Sequence, residues 1–287
     1  MRMCRLRAKL ERPRGECCGT VEAMTTLRFG FSPCPNDTFA FHALVHGLVE
    51  APFQIEPVLL DIEELNRRAH TGELELTKLS FGALAGVGDR YRLLGSGAAL
   101  GFGCGPLVVA REPIDLARAA AGPIAVPGLQ TTAVLLLRRF APAPGELVEL
   151  RYDRILGAVE RGEVKAGLII HESRFTYAEH GLVRVCDLGE LWEEETGLPV
   201  PLAGICARSD LDAATCAAAT QAIRASVEYA FAHPAVSRDY VRANAQELSE
   251  EVRRAHIELY VNESSVDLGE TGLRAIESLL HATRAGR

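Results

Sequence analysis

The sequence predicts an α/β protein of two lobes, each a mainly parallel sheet flanked by helices, with a ligand cleft between them. Three observations predict it. Strand and helix patterns alternate along most of the chain. One local pattern occurs twice: at Gly72-Glu73-Leu74 and again at Gly162-Glu163-Val164 a helix stops at glycine and a strand follows, ending in polar residues at Ser80 and His171. Two short apolar strands, over 106–111 and 204–208, flank the second occurrence and are natural crossings between lobes.

The elements follow in order. Leu27, Phe29 and Phe31 alternate with polar or small residues, which predicts the first strand. The turn Pro33-Cys34-Pro35-Asn36-Asp37 leads to a helix over 38–47, with Asn36 or Asp37 as its N-cap. A strand over 57–60 precedes Asp61 and Glu64, spaced as a capping box for a helix that stops near Gly72. Leu74, Leu76 and Leu79 belong to a strand ending at Lys78-Leu79-Ser80. The plan then repeats: strand 124–126, a Pro-Gly turn, helix 131–140, strand 148–151, a helix capped by Asp153, and strand 164–170 ending at His171. The tail is helical. Ile223, Val227 and Phe231 mark one helix, Ser249 starts another through Tyr260, and Leu273, Ile276 and Leu280 mark the last. The simplest division places 24–108 with 207–287 in lobe one and 109–206 in lobe two.

Composition narrows the function. The chain has 287 residues, 48% of them hydrophobic, enough for full-sized cores. A formal net charge of −7 disfavours nucleic-acid binding, which needs clustered Lys and Arg. No stretch of about 18 uncharged apolar residues is present, so no membrane span is expected. The cysteines include no C-x-x-C pair and are read as reduced thiols of a cytoplasmic protein. Residues 1–23 carry six Arg or Lys with no apolar run behind them, and read as a disordered or mis-annotated extension.

In open α/β sheets, ligands collect where strands end and helices begin. Four segments meet that description: 32–38, 77–80, 130–132 and 171–174. The expected substrate contacts are Asn36, Asp37, Thr77, Lys78, Leu79, Ser80, Thr131 and Thr132. Thr131 and Thr132 open a helix, where hydroxyls and N–H groups suit a carboxylate or sugar hydroxyls; plain N-capping fits equally well. Lys78 is a point charge for a carboxylate, or one half of an ion pair. His171 ends an apolar strand, the place for a base near neutral pH, although spacing alone also fits a structural imidazole. His42 and His46 stand at i, i+4 without the glutamate or third ligand of a metal motif, so no metal site is expected. The run Gly101-Phe102-Gly103-Cys104-Gly105 lacks dinucleotide spacing and reads as a loop that bends sharply or approaches a ligand.

Three segments carry a family likeness. Phe31-Ser32-Pro33-Cys34-Pro35-Asn36-Asp37-Thr38-Phe39, Leu76-Thr77-Lys78-Leu79-Ser80 and Gly167-Leu168-Ile169-Ile170-His171-Glu172-Ser173-Arg174-Phe175-Thr176-Tyr177 resemble the 1,4-dihydroxy-6-naphthoate synthase family of menaquinone biosynthesis by the futalosine route. The resemblance runs from about Leu27 to Leu280. It implies a type II periplasmic-binding-protein-like fold and a carbon–carbon lyase without a cofactor. The implied reaction converts cyclic dehypoxanthinyl futalosine, a carboxylated aromatic, to the naphthoate and a three-carbon fragment, dihydroxyacetone. It also implies that His171 is the general base and that the 77–79 strand end and the Thr131-Thr132 pair meet substrate. A non-catalytic anion binder and the related chorismate dehydratase share the fold; the His-Glu-Ser-Arg run argues for the synthase.

Overall fold

A computed structural model describes residues 24–141, 143–246 and 249–285. The extension read at 1–23 lies outside the described residues. The chain opens with β1 (Thr26–Phe31), α1 (Pro35–Val45), β2 (Gln54–Leu59), α2 (Ile62–Ala69) and β3 (Leu76–Ser80). There follow α3 (Phe81–Val87), β4 (Tyr91–Leu93), β5 (Ala99–Gly101), β6 (Leu107–Ala110) and α4 (Leu116–Ala120). The second unit is β7 (Ile124–Val126), α5 (Thr132–Phe140), β8 (Leu147–Glu149), α6 (Tyr152–Glu160) and β9 (Ala166–Ile169). Then come α7 (Ser173–Thr176), β10 (Val183–Asp187), α8 (Leu188–Thr196) and β11 (Val200–Arg208). The tail is α9 (Ala213–Ala232), α10 (Arg238–Asn244), α11 (Glu250–Tyr260), α12 (Glu263–Val266) and α13 (Gly269–Ala285).

One sheet runs β2-β1-β3-β11-β4, with β5 also on β11; the other runs β10-β6-β9-β7-β8. The doubled plan is therefore real in space. In each unit the first strand lies between the second and third, and all three are parallel. In each, the third strand then meets an antiparallel neighbour, β11 on β3 and β6 on β9. The sheets are thus mixed. The expected parallel pairing holds inside the β-α-β-α-β units, and the remaining pairings are antiparallel because β6 and β11 run against the strands on either side of them.

Local chemistry explains the matching corners. Gly72 and Gly162 both sit at positive φ, 68° and 72°, just beyond α2 and α6. Only glycine takes that conformation without a steric penalty, so each helix stops there and the chain turns into the next strand. Asp61 caps α2 by accepting the N–H groups of Glu63 and Glu64. The reciprocal half of the capping box is not made: the Glu64 carboxylate pairs with Arg68 instead. Phe29, Phe31 and Phe41 meet at centroid distances of 5.0–5.4 Å. Each is fully buried, contributing about 1.5–3 kcal/mol and seating α1 on the first sheet.

Candidate functional site

The two third strands, β3 and β9, aim their carboxyl ends at one pocket of about 60 Å³. From the first sheet and its helices come Ser32, Asn36, Lys78, Ser80, Leu202, Ala203 and Tyr260; from the second, Thr131, Thr132, Ala133, Ile170 and His171. Strand alternation decides which residues of β3 take part. Lys78 and Ser80 face the pocket. Thr77 and Leu79 point to the opposite face, where Leu79 is wholly buried among core residues and the Thr77 hydroxyl donates to the Lys78 carbonyl. Of the expected contacts on this strand, Lys78 and Ser80 line the pocket and Thr77 and Leu79 do not.

Helix α1 starts earlier than the sequence suggested. Its N-cap is Cys34, with Pro35 in the first turn where its missing N–H costs nothing. Asn36 and Asp37 are therefore helical residues and not caps. The Asp37 carboxylate turns back to accept the Ser32 N–H at 3.0 Å and the Asn36 amide at 2.8 Å, and it pairs with the Lys78 ammonium. Both partners are almost fully buried. Asp37 does not line the pocket; it holds the lysine that does. Ser80 is fixed by Asn66, which accepts its N–H at 3.0 Å and donates to its hydroxyl at 3.1 Å.

Across the pocket, Thr131 is the N-cap of α5, accepting the Val134 N–H, and its hydroxyl donates to the Gly128 carbonyl at 2.8 Å. The Thr132 hydroxyl bridges the lobes, donating to the Leu202 carbonyl at 2.6 Å and accepting the Gly82 N–H at 3.1 Å. Both hydroxyls are thus engaged by backbone. The first N–H groups of α5, at Thr132 and Ala133, have no partner within the helix and lie on the pocket wall. Further contacts join the lobes: Gln130 N–H to Glu63 at 3.2 Å, His70 Nε2 with Gln130 Oε1 at 2.5 Å, and the Arg67–Glu149 ion pair.

His171 has φ of +57°, one of two non-glycine residues on the left-handed side among the described residues. Such a conformation costs of order 1–3 kcal/mol and persists where surrounding structure enforces it. Here it turns the ring from the end of β9 into the pocket. The ring packs edge-on against Tyr152 at 5.0 Å and nearly parallel to His256 at 6.1 Å. Its Nε2 is buried and has no hydrogen-bond partner. Burial, then the nearby Lys78 charge, pushes its pKa down to about 3. The imidazole is neutral at physiological pH.

This predicts an acid-sensitive fold. Unfolded, His171 would take up a proton near pH 6.5; folded, it resists until about 3. His256 is also held well below the usual range, by burial and then by His171 and Lys78, and His42 is lowered by burial and then by His46. Below pH 6.5 the unfolded chain therefore holds more protons, so stability falls as pH falls, by at most about 1.4 kcal/mol per pH unit for each histidine. Calorimetry should show Tm dropping from pH 7 to pH 5, with a shallower slope in His256→Gln. A Tm independent of pH over that range contradicts the assignment of buried neutral rings.

The other sequence features fall into place around the pocket. His42 and His46 stack on one another at 4.2 Å, and His46 Nδ1 contacts the His42 carbonyl. The glycine loop bends at Gly103, φ +66°, and brings Cys104 to the pocket. At Gly105 a side chain would meet the Gly189 backbone at 2.3 Å, so the loop needs glycine to pack on α8. Arg174 clamps this corner through the Gly105 carbonyl and Asp187, both at 2.5 Å. Among the described residues, Cys34, His171 and Glu172 are the group whose geometry could approach a metal, with ligand atoms within 4.8 Å of one another. Burial, then the Glu172 carboxylate, pushes the Cys34 thiol well above its usual range and keeps it protonated. Tyr260 joins the pocket wall from outside the four expected segments, and Tyr152 and His256, also outside them, pack against the His171 ring.

Two α/β lobes closed on a pocket between them define a periplasmic-binding-protein-like fold. The periplasmic aliphatic sulphonate binding protein of Escherichia coli shares it, with a TM-score of 0.63 at 13% identity over 92% of this chain and 88% of that one. A solved protein of Archaeoglobus fulgidus superposes with a TM-score of 0.86 at 38% identity, over 91% and 97% of the two chains. The family described as menaquinone biosynthesis matches residues 27–285. A 1,4-dihydroxy-6-naphtoate synthase of Thermus thermophilus is 57% identical over 262 residues, 91% of this chain and 95% of that protein. The chain belongs to the menaquinone biosynthesis family.

Proposed function

We propose that this protein is an enzyme that forms 1,4-dihydroxy-6-naphthoate from cyclic dehypoxanthinyl futalosine, releasing dihydroxyacetone, as a lyase that needs no cofactor. The observation that carries this reading is the neutral, strained His171 with its open nitrogen, set in the same pocket as the buried Lys78 ammonium. The substrate is a carboxylated aromatic joined to a ribose-derived ring. Lys78 and the N-terminus of α5 supply positive charge for its carboxylate. Ser80 and the Thr131-Thr132 corner lie where hydroxyls of the sugar-derived part would sit.

His171 takes a proton from a substrate hydroxyl or an adjacent carbon, which starts ring opening and fragmentation. Binding itself raises the strength of this base. The Lys78 charge is one cause of the depressed His171 pKa, and a substrate carboxylate beside Lys78 offsets that charge. Lobe closure keeps water from the intermediate. Among the described residues no helix is long and apolar enough to cross a membrane, and the proposed reaction places the protein in the cytoplasm. Incubating purified protein with cyclic dehypoxanthinyl futalosine and reading the products by mass spectrometry tests the proposal. Tight binding with no product would instead favour a solute-binding protein.

A further inference from the structure

His256 lies on α11, far along the chain from every motif of the pocket, and is wholly buried. Its Nε2 is 3.0 Å from Asn36 Oδ1, across 220 residues of sequence. The Asn36 amide nitrogen donates to Asp37 Oδ1 at 2.8 Å, so Oδ1 is the acceptor end and His256 carries its proton on Nε2. The opposite nitrogen, Nδ1, is buried without a partner.

A hydrogen-bonded line thus runs from His256 through Asn36 and Asp37 to Lys78. The Asp37 carboxylate is also held by the Ser32 N–H at 3.0 Å. Lys78, Asn36 and Ser32 line the pocket, whereas His256 and Asp37 do not. His256 is not a second base. It does not reach the pocket, and burial, then the neighbouring His171 and Lys78, disfavours its protonated form. What it offers is one N–H donor at a fixed place. Without that donor the Asn36 oxygen becomes a buried unpaired acceptor, which is unfavourable. Rotating the amide toward the pocket relieves this, and it withdraws the bond that helps fix Asp37 and hence Lys78.

We propose that His256 is a positioning residue for the carboxylate-binding side of the pocket, setting Lys78 through Asn36 and Asp37. The inference rests on the proposed naphthoate-forming reaction, and wild-type turnover checks that reading separately. His256→Phe keeps a ring but removes the donor, while His256→Gln keeps a donor near the Nε2 position. Steady-state kinetics with cyclic dehypoxanthinyl futalosine should show KM raised roughly tenfold or more in His256→Phe, with kcat within a few-fold of wild type. His256→Gln should recover most of the KM. If His256→Phe does not fold, the Gln variant still decides: folded protein with wild-type KM supports the proposal, and KM raised about tenfold overturns it. Equal losses of kcat and KM in both variants, or unchanged KM in His256→Phe, would also overturn it.

Discussion

Replacing His171 with alanine is expected to lower kcat by roughly 10²–10⁴-fold and to leave substrate affinity within a few-fold of wild type. The separation follows from geometry. The charge that draws the carboxylate comes from Lys78 and the start of α5, and neither depends on the imidazole for its position. His171→Asn is the companion variant, because asparagine tolerates the left-handed backbone at this position better than most residues. Rapid-quench turnover gives kcat, and calorimetric titration with the substrate gives affinity. Near-wild-type kcat in both variants would remove His171 from the mechanism. A loss confined to affinity would make it a binding residue.

Replacing Lys78 with methionine is expected to cost about 3–5 kcal/mol of stability, because it leaves the Asp37 charge buried without its ammonium partner. Asp37 keeps the Ser32 and Asn36 donors, which do not neutralise it. Adding Asp37→Asn in the same chain should restore most of the stability by removing the stranded charge. It should not restore binding, and KM in the double variant should stay raised by about tenfold or more, since tenfold corresponds to about 1.4 kcal/mol. Urea unfolding measures the first effect and steady-state kinetics the second. An unfolding midpoint unchanged by Lys78→Met would mean that the ion pair is hydrated, contrary to its burial.

Much of this architecture can be read from local patterns. Gly72 and Gly162 mark equivalent corners because positive φ is a local demand, visible wherever glycine follows a helical pattern. The strands ending at Ser80 and His171 stand out because apolar runs stop abruptly at polar residues, and both do end at the pocket. On β3 the two-residue period of a strand turns Lys78 and Ser80 to the pocket and the Thr77 and Leu79 side chains away from it. The starting point of α1 was misplaced because Asn36 and Asp37 are good caps by type, while Pro35 in the first turn and the buried pairing of Asp37 decide otherwise. The edge strand β10 and the glutamate-rich α8 carry weak apolar patterns and were not anticipated. His256 was invisible for a different reason. Its partner Asn36 is 220 residues away, and a histidine on an amphipathic helix gives no local sign of reaching a site.

The central claim is that the pocket at the ends of β3 and β9 breaks cyclic dehypoxanthinyl futalosine with protein groups alone. The most direct measurement is the product mixture from purified protein and this substrate, in chelator-treated buffer with no added cofactor. The account predicts 1,4-dihydroxy-6-naphthoate and dihydroxyacetone in equal amounts, formed catalytically and lost together in His171→Ala. Unchanged substrate, or turnover that appears only when a cofactor is supplied, would contradict it.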